Sequence, residues 1–238
     1  MLLLIGTGIA FDLTLSAIVE LKKCDEAYIE TYTNPILDEN IRKLEEIIEK
    51  KITKLKREEV EGIYLVKKAK QANIALLASG DPLTATTHVA LIMDAMDNEI
   101  DTKVIHNSSI YTAAAGAAGL QIYRFGKTAT LVNPREGYRP NSSLDVIRGN
   151  LKMDMHSLVL LDTEPEPMEA PLALEMLREF DTAVVLSRLG ETDELVRYGE
   201  IQELSQQELG SPPFTIIIPA KLHIVEREYL EKKMKEKD

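Results

Sequence analysis

The sequence predicts an α/β protein built as two α/β domains, on three observations. Short unbroken apolar runs at residues 2–5 and 74–77 have the composition of strands buried on both faces. Each run stops at a turn, Gly6-Thr7-Gly8 in one case and Ser79-Gly80-Asp81-Pro82 in the other. Stretches with apolar residues at helical spacing separate such runs, which is the pattern of a parallel sheet layered with helices. At 238 residues the chain is long enough for one large domain or two small ones.

Taken in order, residues 2–5 predict the first strand. Asp12-Leu13-Thr14 then introduces a helix with Leu15, Ile18, Val19 and Leu21 at helical spacing and Lys22 and Lys23 at its end, where cations complement the helix dipole. Residues 27–33 predict a strand, and 38–50 an amphipathic helix whose apolar face is Ile41, Leu44, Ile47 and Ile48. A helix over 61–70, a second doubly buried strand over 74–77 and a helix over 86–96 follow. Val104-Ile105-His106 predicts a third short strand, with Ser108-Ser109 as an N-cap for the alanine-rich helix over 110–120. This half predicts a mostly parallel sheet. Beyond Gly126 the strand-like segments are 127–132, 157–161, 182–186 and 214–218, with helices over 142–151 and 171–180. They predict a mixed sheet with helices, closed by a charged amphipathic helix over 224–237. The change of texture places the boundary so that an N-terminal α/β domain spans 1–122 and a C-terminal one 123–238.

Composition excludes several functions. Apolar residues make up 45% and charged residues 28%, the balance of a folded globular chain. With 28 basic against 39 acidic residues the net charge is −11, a mean field that repels polyanions, so no direct nucleic-acid partner is expected. No window approaches the ~18 apolar residues of a membrane span, and none is expected. Cys24 is the single cysteine, which rules out an intramolecular disulfide and zinc sites built on paired cysteines. A cytoplasmic location and a buried structural role for Cys24 follow as expectations.

Motifs narrow the chemistry. Gly6-Thr7-Gly8 follows a strand, but Phe11 occupies the third glycine position of G-x-G-x-x-G, so the dinucleotide fingerprint fails. No phosphate-binding P-loop occurs either. Asp81 stands directly after a buried strand, at the sheet edge where open α/β folds bind ligands. The same Asp-Pro is also ordinary turn and helix-start chemistry, and both readings stay open. As an exposed loop carboxylate it would contribute little stability. His106 and His156 flank apolar strands and read as structural. With four histidines and no H-E-x-x-H, no metal site is expected. The carboxylates of Asp162-Thr163-Glu164-Pro165-Glu166 and Glu191-Thr192-Asp193-Glu194 read as solvated loops.

Five segments together, Leu4-Ile5-Gly6-Thr7-Gly8, Gly80-Asp81-Pro82-Leu83-Thr84-Ala85-Thr86-Thr87-His88, Ser109-Ile110-Tyr111 with Gly119-Leu120, Tyr123-Arg124-Phe125-Gly126, and Pro219-Ala220-Lys221-Leu222-His223-Ile224-Val225-Glu226, resemble the diphthine synthase family. That family lies within the tetrapyrrole methylase superfamily of S-adenosylmethionine-dependent methyltransferases. The resemblance runs through both halves in the same order. It implies a homodimer of two-domain chains, with S-adenosyl-L-methionine held in the cleft between domains and S-adenosyl-L-homocysteine as product. It further implies methylation, up to the trimethylammonium state, of the amino group on the modified histidine of translation elongation factor 2 in diphthamide biosynthesis. Carried over by position, the cofactor-binding residues are Ile9, Asp81, Thr84, Ser109, Ile110, Leu161, Leu189 and His223. No catalytic side chain is singled out for taking the proton from the amine. Ala220 and Ser108 depart from the glycine and proline of the pattern, and residues 133–140 are rewritten in a region that bears on substrate recognition. Competing readings are a methyltransferase of cobalamin or sirohaem precursors, a cofactor-binding sensor without turnover and, more distantly, a nicotinamide dehydrogenase.

Overall fold

The protein's structure, a computed structural model, describes residues 1–34, 36–135 and 141–235. Of the rewritten 133–140 segment, residues 136–140 lie outside the described residues, as does the end of the tail helix expected to reach Lys237. The chain divides into two compact units, Met1–Ile110 and Tyr111–Asp238. The division falls earlier than the 122/123 boundary because the helix after Ser109 goes with the later residues. There Gly119 abuts the Tyr229 ring, and the Gln121 N–H bonds Glu226 at 3.1 Å.

The first unit runs β1 (Leu2–Gly6), α1 (Leu15–Lys23), β2 (Glu26–Glu30), α2 (Asp38–Ile48), β3 (Ile52–Leu55), α3 (Arg57–Val60), α4 (Tyr64–Ala69), β4 (Ile74–Ala78), α5 (His88–Asp97) and β5 (Thr102–Ile105). Its strands lie in the order β3-β2-β4-β1-β5, and every pairing is parallel. The doubly apolar runs explain this arrangement. Leu3, Ile5, Ala75, Leu77 and Ile29 point to one core with Leu21 of α1 and Leu44 of α2. Leu2, Leu4, Ile74, Leu76 and Tyr28 point to the other, with Leu65 of α4 and Leu91 of α5. Both faces of β1 and β4 are thus covered, as a parallel sheet requires, and each large side chain buried this way contributes about 1.5–3 kcal/mol. Thr14 caps α1, its hydroxyl accepting from the Ala17 N–H at 3.2 Å. Cys24 is buried and free, and burial raises its thiol pKa.

The second unit contains α6 (Ile110–Ala117), whose first residue closes the first unit, a 3-10 turn (Ile122–Arg124), β6 (Ala129–Leu131), α7 (Ser142–Lys152), β7 (Ser157–Leu161), α8 (Ala170–Met176), β8 (Thr182–Ser187), β9 (Leu195–Glu200), α9 (Ile201–Leu204), β10 (Phe214–Ile218) and α10 (Ile224–Lys235). The strand order is β6-β7-β10-β8-β9. Only β6 and β7 are parallel; the other pairings are antiparallel, which makes the sheet mixed as predicted. Val159, Ala183, Val185 and Ile216 pack on one face against Ile147 of α7 and Ala173 and Leu174 of α8. Two strands were not expected, β3 and β9. Both are edge strands with several exposed or half-exposed residues, so neither shows an unbroken apolar run. Among the described residues, no helix is long and apolar enough to cross a membrane.

Candidate functional site

Strand order builds a site in the first unit. β1 lies between β4 and β5, and because all three are parallel their following loops emerge side by side at the carboxyl edge, where open α/β sheets take ligands. These loops carry Gly6-Thr7-Gly8, Gly80-Asp81-Pro82 and His106-Asn107-Ser108-Ser109. Main chain holds them together: Gly8 and Gly80 exchange N–H to carbonyl bonds, both 3.0 Å. A side chain at Gly6 would collide with the Gly80 carbonyl oxygen, so the close approach requires glycine there. Asn107 Nδ2 donates to the carbonyls of Gly6 at 3.1 Å and Asp12 at 2.8 Å, tying the third loop to the first.

Asp81 is the electrostatic centre of this edge. It is 8% exposed, and its oxygens are saturated by the protein's own donors. Oδ1 accepts from the Leu83 N–H at 3.0 Å and the Thr84 hydroxyl at 3.2 Å, while Oδ2 accepts from His106 Nδ1 at 2.7 Å and the Asn107 N–H at 3.3 Å. Burial works to raise its pKa, but the bonds from Leu83, His106 and Asn107 outweigh it and hold the carboxyl below its usual range. The expectation of an exposed, weakly engaged carboxylate is therefore corrected, because Asp81 is buried and locks its own loop to the one after β5. His106, the donor at 2.7 Å, has a side chain that is 66% exposed. That histidine, read from sequence as structural, belongs to this edge; its distance from Asp81 in sequence left no signal.

Of the residues carried over from the family, Ile9, Asp81, Thr84, Ser109 and Ile110 gather here. Ile9 and Ile110 are half-buried, and Ser109 is buried. The Ile9 N–H donates to Ser108 Oγ at 3.2 Å. Ser108 therefore supplies an acceptor that the usual proline lacks.

Leu161, Leu189 and His223 lie in the second unit. β7 and β8 run the same way on either side of antiparallel β10, so Leu161 and Leu189 sit at one edge of that sheet. His223 follows the end of β10 and sits at the other edge, since Ile218 pairs with Ser157 at the start of β7. The length of β7, roughly 14 Å at ~3.4 Å per residue, separates the two edges. Leu189 is buried between two residues of left-handed backbone, Arg188 and Gly190. The exposed His223 stands directly before α10 and is held by a buried polar node. Glu226, 1% exposed, accepts from the His223 N–H at 2.8 Å, Arg124 Nη1 at 2.6 Å, the Gln121 N–H at 3.1 Å and His156 Nε2 at 3.3 Å. His156 Nδ1 accepts the Ala220 N–H at 2.9 Å, which fixes its proton on Nε2. Burial is the main reason that its pKa is lowered. Residue 220 contributes only its amide, from backbone outside the left-handed region, so alanine serves where glycine is usual. The node explains why Tyr123-Arg124-Phe125-Gly126 and the Lys221-Leu222-His223 segment belong together.

The carboxylates after β7 and β8 lie on loops as expected, with Glu166, Asp193 and Glu194 exposed and Asp162, Glu164 and Glu191 half-buried. Asp162 accepts from the Asn133 and Glu164 N–H groups at 3.0 and 3.3 Å, and Asp193 pairs with Arg188 at 2.7 Å. No group of three or more His, Cys, Asp or Glu among the described residues has metal-binding geometry.

Residues 1–205 match the family of tetrapyrrole (corrin/porphyrin) methylases, and with the doubly covered parallel sheet and its glycine-linked carboxyl edge the chain belongs to that family of S-adenosylmethionine-dependent methyltransferases. Within it, the chain is similar over nearly its whole length to diphthine synthases. The curated relative from Methanocaldococcus jannaschii is 38% identical, across 97% of this chain and 98% of that one. A second, from Methanococcus maripaludis, is also 38% identical with the same coverage. A crystal structure of diphthine synthase superposes with a TM-score of 0.89 at 33% identity, covering 98% of this chain and 95% of that one.

Proposed function

We propose that this chain is an S-adenosylmethionine-dependent protein methyltransferase acting in diphthamide biosynthesis. Its substrate is the amino group on the modified histidine of translation elongation factor 2. The observation that carries this reading is the likeness to diphthine synthases in sequence and in structure across nearly the full length of both chains. It favours the protein substrate over a tetrapyrrole precursor, to which only the broader family name points.

The first unit's carboxyl edge fits the cofactor by its chemistry. Ile9 and Ile110 present half-buried apolar surface suited to enclosing adenine and the methyl-bearing sulfonium; Thr84 and Ser109 offer hydroxyls for the cofactor's polar groups, and Asp81 takes an ammonium or ribose hydroxyl in exchange for the exposed His106. Leu161, Leu189 and His223 complete the proposed set. When bound, S-adenosylmethionine supplies an electrophilic methyl group that passes in line to a neutral amine. The chain's own work is to hold that geometry and exclude water. Rigid positioning of two reactants removes on the order of 7–11 kcal/mol of barrier in the best cases, and loops locked by Asp81 and Asn107 have the rigidity this demands. Water exclusion falls to the apolar residues, since Ile9 and Ile110 offer no hydrogen-bonding side-chain atom.

The proposal includes a homodimer and a cytoplasmic location. Intact-protein mass spectrometry tests the reaction, using elongation factor 2 bearing its aminocarboxypropyl-histidine, S-adenosylmethionine and this protein. Whole methyl increments confined to that histidine are expected, and their number counts the steps. No increment, with cofactor binding demonstrated, would refute the substrate. Light scattering after size exclusion tests the dimer.

A further inference from the structure

The loop that follows β4 is held from a second direction, by residues that the cofactor reading does not use. His88 opens α5 and is 1% exposed. Its Nδ1 lies 2.8 Å from the Pro82 carbonyl oxygen. A carbonyl only accepts, so Nδ1 carries a proton in either charge state of the ring. Nε2 lies 3.3 Å from the Tyr32 hydroxyl, in the segment after β2. That segment is anchored in turn by Glu30, whose side chain is wholly buried at the end of β2. Glu30 Oε2 accepts the N–H groups of Tyr32 at 3.1 Å and Thr33 at 2.9 Å, whereas Oε1 has no hydrogen-bond partner among the described residues. Asn34 adds a parallel tie, its Nδ2 donating to Ser79 Oγ at 2.9 Å.

A carboxyl buried with one oxygen unmatched is costly. Its position makes structural sense as the far anchor of a chain of contacts running Glu30, Tyr32, His88, Pro82. Asp81 and Asn107 fasten the Gly80-Asp81-Pro82 loop on the side of the neighbouring β1 and β5 loops, and His88 fastens it on the side of β2. We infer that His88 is a positioning residue for methyl transfer, setting the height of the Gly80-Asp81-Pro82 loop through its bond to the Pro82 carbonyl. The inference rests on the reading that this loop binds S-adenosylmethionine.

The test compares His88→Leu with His88→Asn, because the Asn amide nitrogen falls where Nδ1 lies and keeps the bond to Pro82. Affinity for S-adenosylmethionine is measured by calorimetry well below each variant's unfolding temperature, with KM and kcat for methylation of elongation factor 2. His88→Leu is expected to weaken cofactor binding about tenfold and raise KM for the cofactor with kcat nearly unchanged, the scale of one hydrogen bond. His88→Asn is expected to stay within about threefold of wild type. Should His88→Leu fail to fold, Tyr32→Phe removes the hydroxyl behind His88 and keeps the ring that Arg57 covers at 5.0 Å; a two- to threefold loss of affinity is expected. Wild-type affinity in His88→Leu, or equal losses in the Leu and Asn variants, overturns the inference while leaving the cofactor reading standing. A wild-type chain that binds no S-adenosylmethionine overturns both.

Discussion

Removing the Glu226 carboxylate should open the second unit at the start of α10. Glu226→Ala strands four donors at once: the Arg124 guanidinium, His156 Nε2 and the amides of Gln121 and His223. Deleting one partner of a buried ion pair costs ~3–5 kcal/mol. The two amides add little, since Gln121 is half-buried and His223 exposed, and water reaches both. A loss of about 4 kcal/mol corresponds to a fall in unfolding midpoint of roughly 8–16 °C at this chain length. Glu226→Gln is the sharper variant. Its single acceptor can face Arg124 and His223 or Gln121 and His156, and its amide then meets donors on the other side, because Ala220 holds the His156 proton on Nε2. It should lose about half as much. Circular dichroism during heating near pH 7.5 measures both. An Ala variant within about 2 °C of wild type, or a Gln variant indistinguishable from it, would refute the reasoning. Burial works to raise the Glu226 pKa, but the bonds from His223, Gln121 and His156 outweigh it and hold the carboxyl below its usual range. The contribution is thus complete above the unfolded value of about 4.3 and lost as pH falls through the folded one.

Asp81→Ala should lower the unfolding midpoint by roughly 4–12 °C, the cost of ~2–3 kcal/mol for four lost bonds to a mostly buried carboxylate, and weaken S-adenosylmethionine binding measured by calorimetry. A variant that binds normally would remove Asp81 from the site. Glu30 shifts the opposite way: burial raises its pKa, so ionisation opposes folding as pH rises through the folded value. Glu30→Gln should therefore unfold at a higher temperature than wild type near pH 7.5, with the difference shrinking toward pH 4; a pH-independent difference would contradict the assignment. Gly6→Ala should abolish cofactor binding, since its methyl group meets the Gly80 carbonyl, and retained affinity in titration calorimetry would show that the loops can separate.

The fold was legible where local pattern and burial agree. Leu2 to Ile5 and Ile74 to Leu77 are apolar on both sides because both faces are covered, and no tertiary knowledge is needed to read them. Ile52 to Leu55 failed that test because Thr53 and Lys54 face solvent at the sheet margin. The strand over Leu195–Glu200 failed because Arg197, Tyr198 and Glu200 break any apolar run. At the site, the position of Asp81 followed from its place after a strand. Its bonding state did not, since His106 and Asn107 arrive from another loop. The Glu226 node was similarly invisible, as its partners come from Gln121 to Arg124 and from His156.

The strand order has a consequence for how the chain is made. The first sheet needs nothing beyond Ile105, so it can close while the rest is still being synthesised. The second sheet is finished last at its centre: β10, residues Phe214–Ile218, fills the slot between β7 and β8. Until it emerges, both neighbours present open edges of the kind that recruit foreign strands.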